Sequence, residues 1–179
     1  SSRSPSSATM PANTGNSDMN LSIIDNQHLF VFTNIADNNN QKIYKYNISD
    51  LTLSTYNNIT INYNAASAFA IEQSKDYIFI GTMSDSLTFP EIIIINKSDL
   101  SIYRRIPFIT DTTYSTYISS IKYWDDYIYA TACDISTYDG YWIKKIKISD
   151  GTIEISRNAS DDGLPATAGT PQIYIYNNK

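Results

Sequence analysis

The dipeptide Ser-Asp recurs in this chain at nearly equal intervals, as Ser49-Asp50, Ser98-Asp99 and Ser149-Asp150. From 49 to 98 is 49 residues, and from 98 to 149 is 51. A second landmark keeps the same beat. The hydrophobic runs that open at Leu29, Tyr77 and Tyr127 are 48 and then 50 residues apart. Two landmarks sharing one period show that a structural unit has been copied in tandem. Each copy reads as a short apolar segment, an opening strand, a polar loop, a further strand, the Ser-Asp turn and a closing strand. The short apolar segments are Leu21–Ile24, Phe69–Ile71 and Ile118–Ile121.

Four short strands repeated about every 50 residues are the sequence signature of β-propeller blades. The expected fold is therefore all-β: tandem four-stranded antiparallel units, propeller-like. A β-sandwich or another repeat β-structure also accommodates many short strands, but the equal period favours blades. The copies are expected at about 20–65, 66–115 and 116–160. A partial fourth copy over 161–179 opens with Gln172–Tyr176, aligned at this level with the run at Tyr127. Residues 1–19 are rich in Ser, Pro and Asn and nearly devoid of apolar side chains, so they read as a flexible arm or linker.

Composition supports a packed β-core: 42% of the 179 residues are hydrophobic and 13% aromatic, with 15 tyrosines. The net charge of −5 argues against a nucleic-acid surface, which needs a basic stripe. No apolar run approaches the ~18 residues of a membrane-spanning helix. No signal-peptide pattern is visible, and the chain opens on Ser1, so it reads as a processed form or a segment of something longer.

The candidate chemistry is sparse. The repeated acids Asp50, Asp99 and Asp150 sit in turns, where Asp and Ser bond to nearby backbone and close hairpins. A catalytic acid has no reason to appear three times. His28, the only histidine, aligns with Asp76 and Asp126 just ahead of each opening strand and reads as a turn residue. Cys133, the only cysteine, aligns with Ile35 and Met83 and reads as a small buried hydrophobe. Asp37, Asp85, Asp134 and Asp139 lie in the variable loops without the D-x-D-x-D-G ladder of a calcium loop. No catalytic residue, metal-ligand set or cofactor motif is assigned.

Two sets of residues point to binding or modification. Trp124, Tyr138, Tyr141 and Trp142 cluster in the third copy and are candidates to stack on a sugar or form a protein interface, against the alternative of cross-strand packing. Asn20, Asn47, Asn58, Asn96 and Asn158 each match the N-x-S/T acceptor for N-glycosylation. Asn47 and Asn96 occupy the same hairpin in successive copies, an expected surface site.

The openings YIFIGT (Tyr77–Thr82) and YIYATA (Tyr127–Ala132), each followed by a strand and an S-D-L/G turn, resemble the blades of bacterial and secreted β-propeller repeats. Quinoprotein-like and surface-layer repeat families look similar. The resemblance runs over about Asn20–Tyr176. It lacks a recurring Trp-Asp dipeptide, since Trp124-Asp125 occurs once, and it lacks the paired glycines of kelch blades. It implies a scaffold or interaction role and brings no catalytic residue with it; the sequons are the ground for expecting an extracellular or cell-surface location. Three copies and an opening strand are fewer than the about four to eight blades of a closed ring. The expectation is a non-enzymatic structural or adhesive module, self-associating through unpaired strand edges and suited to a filament. The alternative is a carbohydrate- or protein-binding propeller segment of a larger surface protein.

Overall fold

The computed structural model describes residues 21–33, 41–60, 68–83, 89–109, 116–134, 141–158 and 171–175. Among them, twelve strands build three four-stranded sheets and no helix occurs. Blade 1 comprises β1 (Leu21–Ile24), β2 (His28–Thr33), β3 (Lys42–Asn47) and β4 (Leu53–Asn58). Blade 2 comprises β5 (Ala68–Gln73), β6 (Tyr77–Thr82), β7 (Glu91–Asn96) and β8 (Ile102–Pro107). Blade 3 comprises β9 (Thr116–Trp124), β10 (Tyr127–Asp134), β11 (Tyr141–Lys147) and β12 (Ile153–Asn158). Each sheet is an antiparallel meander whose strands lie in chain order.

The hairpins follow from local turn chemistry. Between β1 and β2, the Asp25 carboxylate accepts the backbone N–H groups of Gln27 and His28 at 2.9 and 2.8 Å. The Ser74 hydroxyl oxygen does the same for Asp76 and Tyr77 in blade 2. In blade 3, Asp125 and Asp126 take φ of 50° and 64°, the left-handed pair of a two-residue hairpin. His28 opens β2 opposite Asn47 rather than lying in the turn itself.

The Ser-Asp turns are nearly superposable in their bonding. Asp50 Oδ1 accepts the N–H and hydroxyl of Thr52 at 2.9 and 2.7 Å, and Asp99 Oδ1 accepts the same two groups of Ser101 at the same distances. Asp150 Oδ1 accepts Thr152 N–H at 2.8 Å. These bonds favour the charged carboxylate, so Asp99 and Asp150 are held below the usual range, first by the N–H and then by the hydroxyl. The residue after each Asp is left-handed: Leu51 at 56°, Leu100 at 61° and Gly151 at 78°. Only glycine accepts that region without strain, about 1–2 kcal/mol otherwise. Leu100 is fully buried, which offsets its strain, whereas Leu51 is 41% exposed. Leu51→Gly should therefore stabilise the chain, by about 0.5–1 kcal/mol once glycine's larger unfolded-state entropy is deducted. A denaturant midpoint that rises for Leu51→Gly and falls for Gly151→Leu is the expected result. In the second case the added Cβ meets Arg104 Cδ at 3.2 Å.

The blades stack face to face, with the first strands adjacent: β5 lies against β1 on one side and β9 on the other. We call the face toward the preceding blade rear and the face toward the following blade forward. The forward face of blade 1 supplies Phe30, Phe32 and Ile43, which meet Ile78, Ile80, Ile93, Ile95 and Leu100 on the rear of blade 2. The forward face of blade 2 supplies Phe79, Ile92 and Ile94, which meet Ile118, Ile121, Ile128, Ala130 and Ile146 of blade 3. Blade 2 is thus covered on both sides, and this explains why Ile92–Ile95 is a continuous apolar run with every residue fully buried.

Polar side chains tie each seam along its rim. From blade 1, Lys45 Nζ donates to Lys97 O at 3.0 Å and Asn57 Nδ2 to Leu100 O at 2.9 Å. From blade 2, Arg104 donates to Asp150 O and Ser149 O at 2.9 and 3.2 Å. These bonds run from the earlier blade to carbonyls of the next blade's Ser-Asp hairpin, while Gln73 to Ile24 O and Lys122 to Glu72 run the other way.

Candidate functional site

A polar cleft lies on the rim of the seam between blades 1 and 2. Its volume is about 320 Å³, and it is lined by Asp25, His28, Phe30 and Lys45 on one side and Lys75, Asp76, Tyr77, Asn96 and Lys97 on the other. The hairpins β1–β2, β5–β6 and β7–β8 meet here. Lys97 stands where the other copies have Ile48 and Ile148, and it is 8% exposed. A buried ammonium requires partners. Lys97 Nζ bonds Asp25 Oδ2 at 3.2 Å and sits 5.5 Å from the centre of the Phe30 ring, a cation–π distance. Lys45 Nζ shares that ring at 5.9 Å.

Partial burial works against the Asp25 charge, yet the N–H groups of Gln27 and His28 and the Lys97 ammonium hold its carboxyl below the usual carboxylate range. His28 Nδ1 lies 3.7 Å from the same carboxylate. Lys45, Lys97 and Asp25 are therefore committed to holding the seam. Lys75, Asp76 and the His28 ring complete the polar lining, with His28 also 5.9 Å from the Phe30 ring. The sequence signals were there in part: Lys97 is the odd residue of its repeat position, and Lys45 interrupts a Tyr-rich strand.

The structure separates the aromatic candidates of blade 3. Trp124 pairs with Tyr127 at one end of the sheet, and Trp142 pairs with Ala132 near the other. Five residue steps along β10 separate those registers, roughly 17 Å. Trp124 is 36% exposed on the forward face, its ring 6.3 Å from that of Tyr129. Trp142 points the opposite way and packs against the core of the blade 2–3 seam. Tyr141 is on the forward face, opposite Cys133, with its hydroxyl buried and without a partner among the described residues. Tyr138 lies outside the described residues.

The sequon residues also divide. Asn47 Nδ2 donates to the Thr52 hydroxyl at 3.0 Å, and Asn96 Nδ2 to the Ser101 hydroxyl at 2.8 Å, so both amides already brace their hairpins. Asn58 is exposed at the end of β4, Asn158 is half-buried at the end of β12, and Asn20 lies outside the described residues. Cys133 is fully buried, and desolvation pushes its thiol up, away from thiolate chemistry. Glu91, beside Arg105, is likewise raised, because burial outweighs the guanidinium. Asp134 is buried at the end of β10. Asp37, Asp85 and Asp139 lie outside the described residues.

Two solved structures share this arrangement. A europium-containing methanol dehydrogenase matches 76% of the chain with a TM-score of 0.57 and 9% identity. A prolyl endopeptidase structure matches 80% with a TM-score of 0.52 and 13% identity. The fold is a run of β-propeller blades. At these identities the likeness shows architecture alone. The chain spans 24% of the dehydrogenase chain and 20% of the endopeptidase chain. No protein-family model matches the sequence, and no curated protein does.

Proposed function

We propose that this chain is a non-catalytic extracellular structural or adhesive module that works by stacking its terminal blades on further copies, the behaviour of a filament subunit. The observation that supports this is the contrast between equivalent residues. Leu100, in the second Ser-Asp turn, is fully buried under blade 1, while Leu51, its counterpart in the first, is 41% exposed. On the other flank, Tyr129 and Ile143 of blade 3 are only half-buried, where their counterparts Phe30, Phe79, Ile43 and Ile92 are fully buried. At these positions a side chain that is buried where a neighbouring blade is present stays apolar where none is, although Tyr44 and Tyr46 on the rear of blade 1 are already buried, and exposed apolar patches of this kind mark contact sites.

Mass measurement of the purified chain by sedimentation tests the reading. The expected outcome is concentration-dependent species larger than the 20.2 kDa chain. A chain that stays at 20.2 kDa across a thousandfold concentration range would sink it. A second reading, a carbohydrate-binding segment of a larger surface protein, draws on the half-exposed Trp124 ring beside Tyr129. A glycan array on which Trp124→Ala abolishes a signal is its test.

A further inference from the structure

We infer that the forward face of blade 3 docks the rear face of blade 1 of a second copy of this chain, reproducing the seam between blades 1 and 2. This rests on the self-association proposed above and specifies its geometry.

The argument comes from equivalent positions in the repeat. Pairing register makes Lys45, Ile94 and Lys145 equivalent, since they lie opposite Phe30, Phe79 and Tyr129. It likewise makes Asn57, Ile106 and Arg157 equivalent, opposite Ile43, Ile92 and Ile143. Blade 1 uses Lys45 and Asn57 to grip the carbonyls of Lys97 and Leu100 on the next blade. Blade 3 carries a long cationic donor at both of these positions, Lys145 and Arg157. Its forward face therefore has the donors of a seam, with Tyr129, Ile143 and Ile155 between them. In this copy Lys145 turns instead to Glu154 at 2.9 Å.

The acceptors are found on the rear of blade 1. Its Ser-Asp hairpin holds Ile48 and Leu51 where the gripped hairpin holds Lys97 and Leu100, with the same backbone bonds closing it. Asp50 and Ser49 are exposed beside them, so an acidic hairpin faces cationic donors. Docking would bury Leu51 as Leu100 is buried, and would bring Lys145 Nζ to Ile48 O and the Arg157 guanidinium to Leu51 O.

The seat of an innermost strand on blade 3 is already filled. Pro171 O accepts the hydroxyls of Ser119 and Thr131 at 2.9 and 3.0 Å, and Ile173 N–H reaches Ser120 Oγ at 3.3 Å. Thr131 is the counterpart of Gly81, the residue that β9 approaches on blade 2. Ile173 and Ile175 turn inward and Tyr174 outward at 83% exposure, as Leu21, Ile23 and Ser22 do in β1. The segment 171–175 thus stands in for β1, and the incoming copy supplies β2, β3 and β4 beside it while its own four-residue β1 is released. The two surfaces differ, so the contact is head-to-tail; it closes into a ring or runs on as a filament according to the angle between copies.

Complementation between two blocked variants tests this. Leu51→Asp spoils the rear face only, and Ile155→Asp the forward face only; both sites are exposed, and thermal melts confirm that each variant folds. Each variant alone should remain at 20.2 kDa where the wild type assembles. An equimolar mixture should form pairs of twice that mass, because each partner contributes the face that the other lacks. Either variant assembling alone like the wild type, or a mixture that stays monomeric, overturns the head-to-tail contact and leaves self-association standing. A wild type that never assembles removes both.

Discussion

Phe79→Ala should be among the most destabilising single truncations in this chain, at about 3–5 kcal/mol for an aromatic side chain removed from a packed core. Phe79 is fully buried in the blade 2–3 seam, 5.9 Å from the Tyr123 ring and among Ile94, Ile121 and Ile128. For a domain of this size the loss lowers the melting temperature by on the order of 10 °C. The control is Tyr129→Ala, at the same repeat position in blade 3. Tyr129 is only half-buried, and its truncation should cost on the order of 1 kcal/mol. Thermal melts of the two variants measured together decide the matter. Equal losses would mean that burial across the seam is not what stabilises these blades.

Gly81→Ala should destabilise through a clash rather than a cavity. A Cβ on Gly81 would meet Ile118 Cγ2 at 2.6 Å and Ile118 Cβ at 2.8 Å. Ile118 is fully buried and β-branched, so its Cβ cannot swing away, and overpacking of this kind costs about 1–3 kcal/mol. Ile118→Ala alone leaves a cavity worth about 2–5 kcal/mol. The double variant should be more stable than the sum of the two losses predicts, since the new methyl enters the space that the isoleucine vacates. Strict additivity in denaturant unfolding would show that β6 and β9 are not in contact. The copies hold Phe32 and Thr131 at this position, so the glycine marks where the second seam closes most tightly.

The repeat was legible because it is written in local chemistry. An Asp that binds the N–H two residues on closes a hairpin wherever it occurs, so its period reports the period of the sheets. The strand count, the meander order and the structural role of Asp50, Asp99 and Asp150 could all be read that way. The aromatic cluster was not readable as a site. Trp124 and Trp142 are near in sequence, but alternation along the strands and the length of β10 send them to opposite faces and ends of one sheet. The segment 171–175 resembled an opening strand by its Ile-Tyr content; its bonds to Ser119, Ser120 and Thr131, which set it against blade 3, could not be read from the sequence.

The sequence by itself determined the unit: four short strands, three copies, and turns that specify where each hairpin folds back. It could do so because side-chain alternation and turn bonding act over a few residues. Only the tertiary structure decided which face of each unit meets a neighbour, and hence that Leu100 is buried while Leu51 is exposed. Both leucines follow a Ser-Asp pair and both adopt the same left-handed backbone. What separates them is a blade contributed by residues some fifty positions away, a property of packing that local chemistry does not encode.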